Sequence, residues 1–125
     1  MNSQIQSIYK TRKVTGKSGV EITLHSEIDP DEGAFIHRII SQDANISKTL
    51  EVGCAYGLSS LHICDALSSR SNPQHIIVDP FQYSKWDGVG IRNLEEAGID
   101  FFRLIEKNQS LLCPSCLAWV RGRLI

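Results

Sequence analysis

A chain of 125 residues, 42% apolar and 22% charged, suits one globular domain that buries roughly two-thirds of the surface its unfolded form exposes. Its formal net charge of −1 gives no electrostatic ground for a nucleic acid or an anionic membrane as partner, and no run reaches the ~18 continuous apolar residues that cross a bilayer. Residues 1–13 are polar and lack the apolar centre of a signal peptide, so the expected compartment is the cytoplasm, where the 4 cysteines stay reduced.

Residues 1–12 read as a loosely ordered arm, and Lys10, Arg12, Lys13 and Lys17 as a solvated basic face. A hairpin follows over 14–24: Gly16-Lys17-Ser18-Gly19 makes the turn, and Val20, Ile22 and Leu24 alternate with Glu21 and Thr23. A helix then opens on clear signals. Asp29 is placed to cap it, Pro30 fits its first position, and Glu32 completes a capping box. Phe35, Ile36, Ile39 and Ile40 form its expected buried stripe, with His37 and Arg38 toward water.

From Lys48 strands and helices alternate. A strand is expected over 48–52, then a helix over 58–69 that buries Leu61, Cys64 and Leu67, with His62 and Asp65 roughly opposite. A second strand spans 75–79, and the loop 80–86 leads to a helix near 89–97, capped by Asp87 and ended by Gly98. A third strand covers 101–105, and a last helix is placed over 110–121. Short apolar strands separated by helices imply an α/β chain with a Rossmann-like parallel sheet of three β-α units, behind an N-terminal hairpin and helix. Residues 1–28 are taken as arm and hairpin, 29–125 as the Rossmann-like domain.

The chemistry concentrates at Thr49-Leu50-Glu51-Val52-Gly53-Cys54-Ala55-Tyr56-Gly57-Leu58-Ser59-Ser60, a strand, a glycine turn and a helix start. Asp79 stands one β-α unit later, the layout of a nucleoside-binding site. The glycines miss the G-x-G-x-x-G dinucleotide spacing, and no basic residue sits in the turn, which sets aside a Walker-type phosphate loop.

Glu51-x-Gly53-x-Ala55-x-Gly57 resembles motif I of the class I S-adenosylmethionine-dependent methyltransferases, with Ala55 in place of the middle glycine. The resemblance covers about residues 30–110 and is strongest to the small single-domain members that carry Asp-Pro-Phe after the second strand, as Asp79-Pro80-Phe81 does here. It implies S-adenosylmethionine as cofactor, held by Glu51, Gly53, Cys54, Ala55, Tyr56, Gly57, Ser59, Asp79 and Phe81. Glu51 would receive the ammonium group, Asp79 the ribose hydroxyls, and Tyr56 and Ser59 would border the amino-acid end. Such a ligand carries a sulfonium and no phosphate, so its site needs backbone proximity and carboxylates rather than a basic cradle. The implied activity is methyl transfer to a small-molecule acceptor; the alternative is a non-catalytic binding remnant or interaction module.

No catalytic base or metal ligand set can be assigned. His25, His37, His62 and His75 have no nucleophile or carboxylate partner in sequence. Cys113-Pro114-Ser115-Cys116 does not directly follow a strand, as a redox motif should, and lacks the second pair of a zinc site. Trp86, with Gln82 and Tyr83, reads as a hydrophobic plug ahead of an adenine cover, and Glu106 to Ser110 falls where related enzymes read adenine.

The family sheet has seven strands, and the resemblance fades after about Ser110. The expectation is a chain incomplete at its C-terminus. One side of the strand at 48–52 would then be open, inviting self-association.

Overall fold

Residues 3–11 are helical. The structure is a computed structural model that describes residues 1–25 and 27–106; the helix expected over 110–121, Asn108 to Ser110 and the Cys113/Cys116 pair lie outside the described residues. In place of the expected loose arm stands α1 (Ser3–Thr11), whose first turn is closed by the Asn2 side chain accepting the Gln4 N–H at 2.8 Å. Ile5 and Ile8, three positions apart on one face, are 0% and 2% exposed and enter the main core beside Leu61 and Leu94. Two isoleucines in a polar segment suffice because the rest of the fold supplies the surface they cover.

β1 (Lys13–Thr15) and β2 (Glu21–Thr23) form the expected antiparallel hairpin, with Val14 opposite Ile22. α2 (Pro30–Gln42) carries the capping box: the Asp29 carboxylate accepts the Glu32 N–H at 2.8 Å, and the Glu32 carboxylate accepts the Asp29 N–H at 2.9 Å. Its buried face differs from expectation. Ile40 is buried and Ile36 partly so, but Phe35 and Ile39 are 53% and 47% exposed. Gly33 comes to the interface instead, because a Cβ there would overlap the His62 ring. The helix therefore meets its neighbour along the side that presents a glycine.

The three β-α units follow as β3 (Lys48–Val52), α3 (Leu58–Leu67), β4 (Gln74–Val78), α4 (Val89–Glu96) and β5 (Phe102–Ile105). The sheet is parallel in the order β3-β4-β5, with Glu51 opposite Ile77 and Ile77 opposite Leu104. This is the partial Rossmann-like architecture expected from the alternation of strands and helices. α3 is buried nearly all round, since α2, α1, α4 and β4 all pack on it. Leu61, Cys64 and Leu67 are fully buried as expected, but so is His62, at 1% exposure. A helix enclosed on several sides has no solvent face for its polar residues, and its sequence pattern reported only one of the contacting sides.

Two details of α4 also depart from expectation. Gly88, in a left-handed conformation at φ 66°, occupies the cap position rather than Asp87. Asp87 instead holds the hairpin turn, its carboxylate accepting from Ser18 and its carbonyl accepting the Lys17 N–H at 2.7 Å. Gly98 ends the helix as expected, at φ 76°. Trp86 packs edge-on against Tyr56, ring centroids 5.1 Å apart, which favours the plug over the adenine cover.

Among the described residues β3 lies at the sheet edge, with Leu50 39% and Val52 78% exposed on the face away from α3. No helix among the described residues is long and apolar enough to cross a membrane.

Candidate functional site

β3 runs into the glycine turn, where Gly53 (φ 84°), Ala55 (φ 47°) and Gly57 (φ 81°) all take left-handed backbone. The two glycines have different reasons to be glycine. A Cβ on Gly53 would meet open space, so only its dihedral demands the residue. A Cβ on Gly57 would lie 2.8 Å from the Gly90 carbonyl oxygen and 2.9 Å from its Cα. There the starts of α3 and α4 meet backbone to backbone.

Glu51 and Asp79 leave the sheet on one face. Glu51 is paired with Ile77, and Asp79 lies two residues beyond it, so alternation puts both carboxylates on the α3 side. Each is already engaged. Glu51 accepts from the hydroxyls of Ser59 and Ser60, and its Oε2 lies 3.3 Å from Nε2 of the fully buried His75. The other ring nitrogen of His75 lies 2.9 Å from Thr49 Oγ1, so His75 has a carboxylate partner that sequence order concealed.

Asp79 is 3% exposed. Its Oδ2 accepts the N–H groups of Cys54 at 3.0 Å and Ala55 at 3.3 Å and the Gln82 amide at 3.1 Å; its Oδ1 accepts the Phe81 N–H at 3.0 Å. A carboxylate offers about two acceptor positions on each oxygen, so three donors crowd Oδ2 while Oδ1, bonded to Phe81 alone, keeps one position. Asp79 is thus the buried anion around which the turn is built. Gln82, fully buried, completes the clasp: its amide also donates to the Ala55 carbonyl at 3.2 Å, and its oxygen accepts the Gly90 N–H at 2.7 Å. Asn93 adds a bond to the Tyr56 carbonyl at 2.8 Å. Gln82 and Asn93 reach backbone at Ala55 and Tyr56, 27 and 37 positions away, and no local pattern marks them.

The turn forms one wall of a cavity of about 370 Å³, lined by Gly53, Cys54, Ala55, Tyr56, Leu58 and Ser59 and, on the other side, by Glu27, Ile28 and Glu32. Five of the nine sequence-predicted residues line it: Gly53, Cys54, Ala55, Tyr56 and Ser59. Glu51, Gly57 and Asp79 stand behind the wall, and Phe81 is 57% exposed next to Asp79. Glu27, Ile28, Glu32 and Leu58 are lining residues that sequence reasoning missed, although the capping box had located Glu32. Among the described residues the lining holds no lysine or arginine. Burial pushes the Cys54 thiol up to about 12, with Glu51 and Asp79 adding to the rise, so this thiol, 3.6 Å from the Ser60 hydroxyl, stays protonated near neutral pH.

Beneath Ile28, the Tyr9 hydroxyl donates to the Ile28 carbonyl at 3.0 Å, and Nε2 of His62 lies 3.2 Å from the Tyr9 hydroxyl oxygen. Desolvation lowers the His62 pKa below the usual histidine value, which keeps the ring neutral.

No protein-family model matches the sequence, and no curated protein does. Solved structures do. A Klebsiella pneumoniae protein assigned as an O-methyltransferase aligns over 91% of this chain and 48% of its own, at a TM-score of 0.65 and 18% identity. The O-methyltransferase of Bacillus cereus, in complex with S-adenosylhomocysteine, aligns over 100% and 50%, at 0.60 and 14%. The Streptomyces achromogenes O-methyltransferase TomG, in complex with S-adenosylmethionine, aligns over 69% and 37%, at 0.57 and 17%. The chain thus spans between about a third and a half of the length of these neighbours, and over that part it shares their Rossmann-like α/β fold.

Proposed function

We propose that the cavity beside the glycine turn binds S-adenosylmethionine and that the chain serves methyl transfer to a small-molecule acceptor. One observation carries this reading: a turn that presents backbone to a cavity of about 370 Å³ whose charged lining, among the described residues, is carboxylate only. That volume suits a small ligand, and that lining suits a phosphate-free cationic one. The neighbours captured with S-adenosylmethionine or S-adenosylhomocysteine support the same choice.

The turn residues Gly53 to Tyr56 would lie along the ligand, and Ser59 would carry the influence of Glu51 to the ammonium end, because it both lines the cavity and donates to Glu51. Asp79 would act chiefly by holding the N–H groups of Cys54 and Ala55 in place. Oδ1, which accepts from Phe81 alone, is the oxygen with capacity for a ribose hydroxyl, and at 3% exposure Asp79 would need the 80–86 loop to shift for a ligand to reach it. When bound, the cofactor supplies an electrophilic methyl group. This chain's part is to position it.

Calorimetric titration with S-adenosylmethionine, S-adenosylhomocysteine and NAD tests the reading; binding of NAD alone would overturn it. The second reading, a binding module without catalysis, draws on the lining, which among the described residues holds no histidine or lysine to serve as a general base. Incubation with methyl-labelled cofactor and a cell extract separates the two, since transfer of label supports the enzyme. The free edge that β3 has among the described residues supports pairing with a second copy; an unchanging monomer mass across a sedimentation concentration series would remove that part.

A further inference from the structure

The wall facing the glycine turn is acidic, and nothing in the turn's own chemistry explains why. The Glu27 side chain is only 8% exposed and pairs with Arg12, which reaches it from outside with half its own side chain in solvent. Arg12 is itself set by the fold: it is the left-handed C-cap of α1 at φ 59°, its N–H bonded to the Ile8 carbonyl at 2.8 Å. Glu32 stands at the third position of α2, where one carboxylate oxygen closes the capping box at the cavity rim. The Tyr9 phenol registers the same field, its pKa raised to about 12 first by burial and then by Asp29, Glu27 and Glu32.

We propose that Glu27 and Glu32 are specificity-determining residues that make the cavity select by ligand charge. Resting on the reading that the cavity takes S-adenosylmethionine, the inference is that the acidic wall holds the sulfonium form in preference to its demethylated thioether. The two ligands share the adenosine and the amino-acid end and differ by one methyl group and one positive charge. Contacts to the shared parts cancel in a comparison of affinities. Beyond packing against the methyl itself, an electrostatic wall distinguishes the charged sulfur from the neutral one, and among the described residues two carboxylates against the half-exposed Arg12 guanidinium leave the wall net negative. The functional consequence is relief from product inhibition: spent ligand is held less tightly than fresh.

The test is the ratio of affinities for S-adenosylmethionine and S-adenosylhomocysteine, measured by calorimetry on the full chain. Glu32→Gln removes charge but keeps the capping acceptor, since glutamine serves equally at that position. It should lower the ratio about threefold, as expected for a partly solvated charge near the ligand. Glu27→Gln, more deeply placed, should lower it about tenfold, and Arg12→Gln should raise it, because the wall then loses the counter-charge that Arg12 supplies. Far-UV circular dichroism and a melting curve check each fold; if Glu27→Gln does not fold, the other two carry the comparison. A ratio unchanged in these variants, with both ligands still bound, overturns the charge filter and leaves the site reading standing. A wild-type chain that binds neither ligand overturns the site reading and the filter with it.

Discussion

The Asp79 carboxylate accepts the backbone N–H of Cys54 at 3.0 Å, across 25 positions of sequence. That bond joins the end of β4 to the turn after β3 and makes the shape of the turn depend on a charge outside it. A buried carboxylate surrounded by four donors is both a structural anchor and a reason for the turn's N–H groups to face inward.

Asp79→Asn tests the anchor. The amide puts an NH2, which cannot accept, where N–H donors now meet a carboxylate oxygen, so the variant should lose roughly 1.5–3 kcal/mol of unfolding free energy. Urea denaturation reads that loss, and calorimetry should show ligand affinity falling with it. A variant as stable as wild type would dismiss the clasp.

The two turn glycines should separate cleanly. Gly53→Ala meets only the left-handed backbone penalty, about 1–2 kcal/mol. Gly57→Ala adds a collision with the Gly90 backbone and should cost about 3 kcal/mol or more. Equal midpoints in denaturant for the two variants would contradict the close approach of α3 and α4.

Gln82→Leu should be among the most damaging changes outside the apolar core. It strands the Gly90 N–H, the Ala55 carbonyl and one side of Asp79 in a buried place, for roughly 2–4 kcal/mol. Its melting temperature, set against Tyr83→Leu on the exposed side of the same loop, gives the comparison; a smaller drop for Gln82 would refute the assignment.

His62 gives a pH dependence of known sign. Desolvation first, and then His37, lower its folded pKa, while Asp65 pulls the other way. The unfolded chain therefore takes up the proton first. The contribution of neutral His62 is intact above the unfolded histidine value of about 6.5 and is lost as pH falls from there through the folded value, by at most ~1.4 kcal/mol per pH unit. Stability of wild type and His62→Gln, measured from pH 8 to pH 5, should show a shallower acid slope in the variant. Parallel slopes would place the proton elsewhere.

Local sequence was sufficient where the deciding physics is local. The capping box at Asp29 and Glu32, the hairpin at Gly16 to Gly19, the stop at Gly98 and the strand-turn-helix at Glu51 to Ser60 rest on dihedral preferences and neighbours within a few residues, and each is present. The same stretch identified five residues of the cavity wall, because a glycine turn announces close approach whatever it approaches.

Tertiary structure alone decided what stands opposite. That Ile5 and Ile8 anchor a helix, that His62 is buried and that Asp87 serves the hairpin rather than α4 all depend on surfaces brought from distant sequence. So does the acidic far wall, where Glu27 and Glu32 come from the chain before β3 and face the turn only once α2 has packed on α3. Burial and electrostatic field are sums over neighbours in space. A sequence specifies the residues that enter those sums, and only the folded chain specifies the distances.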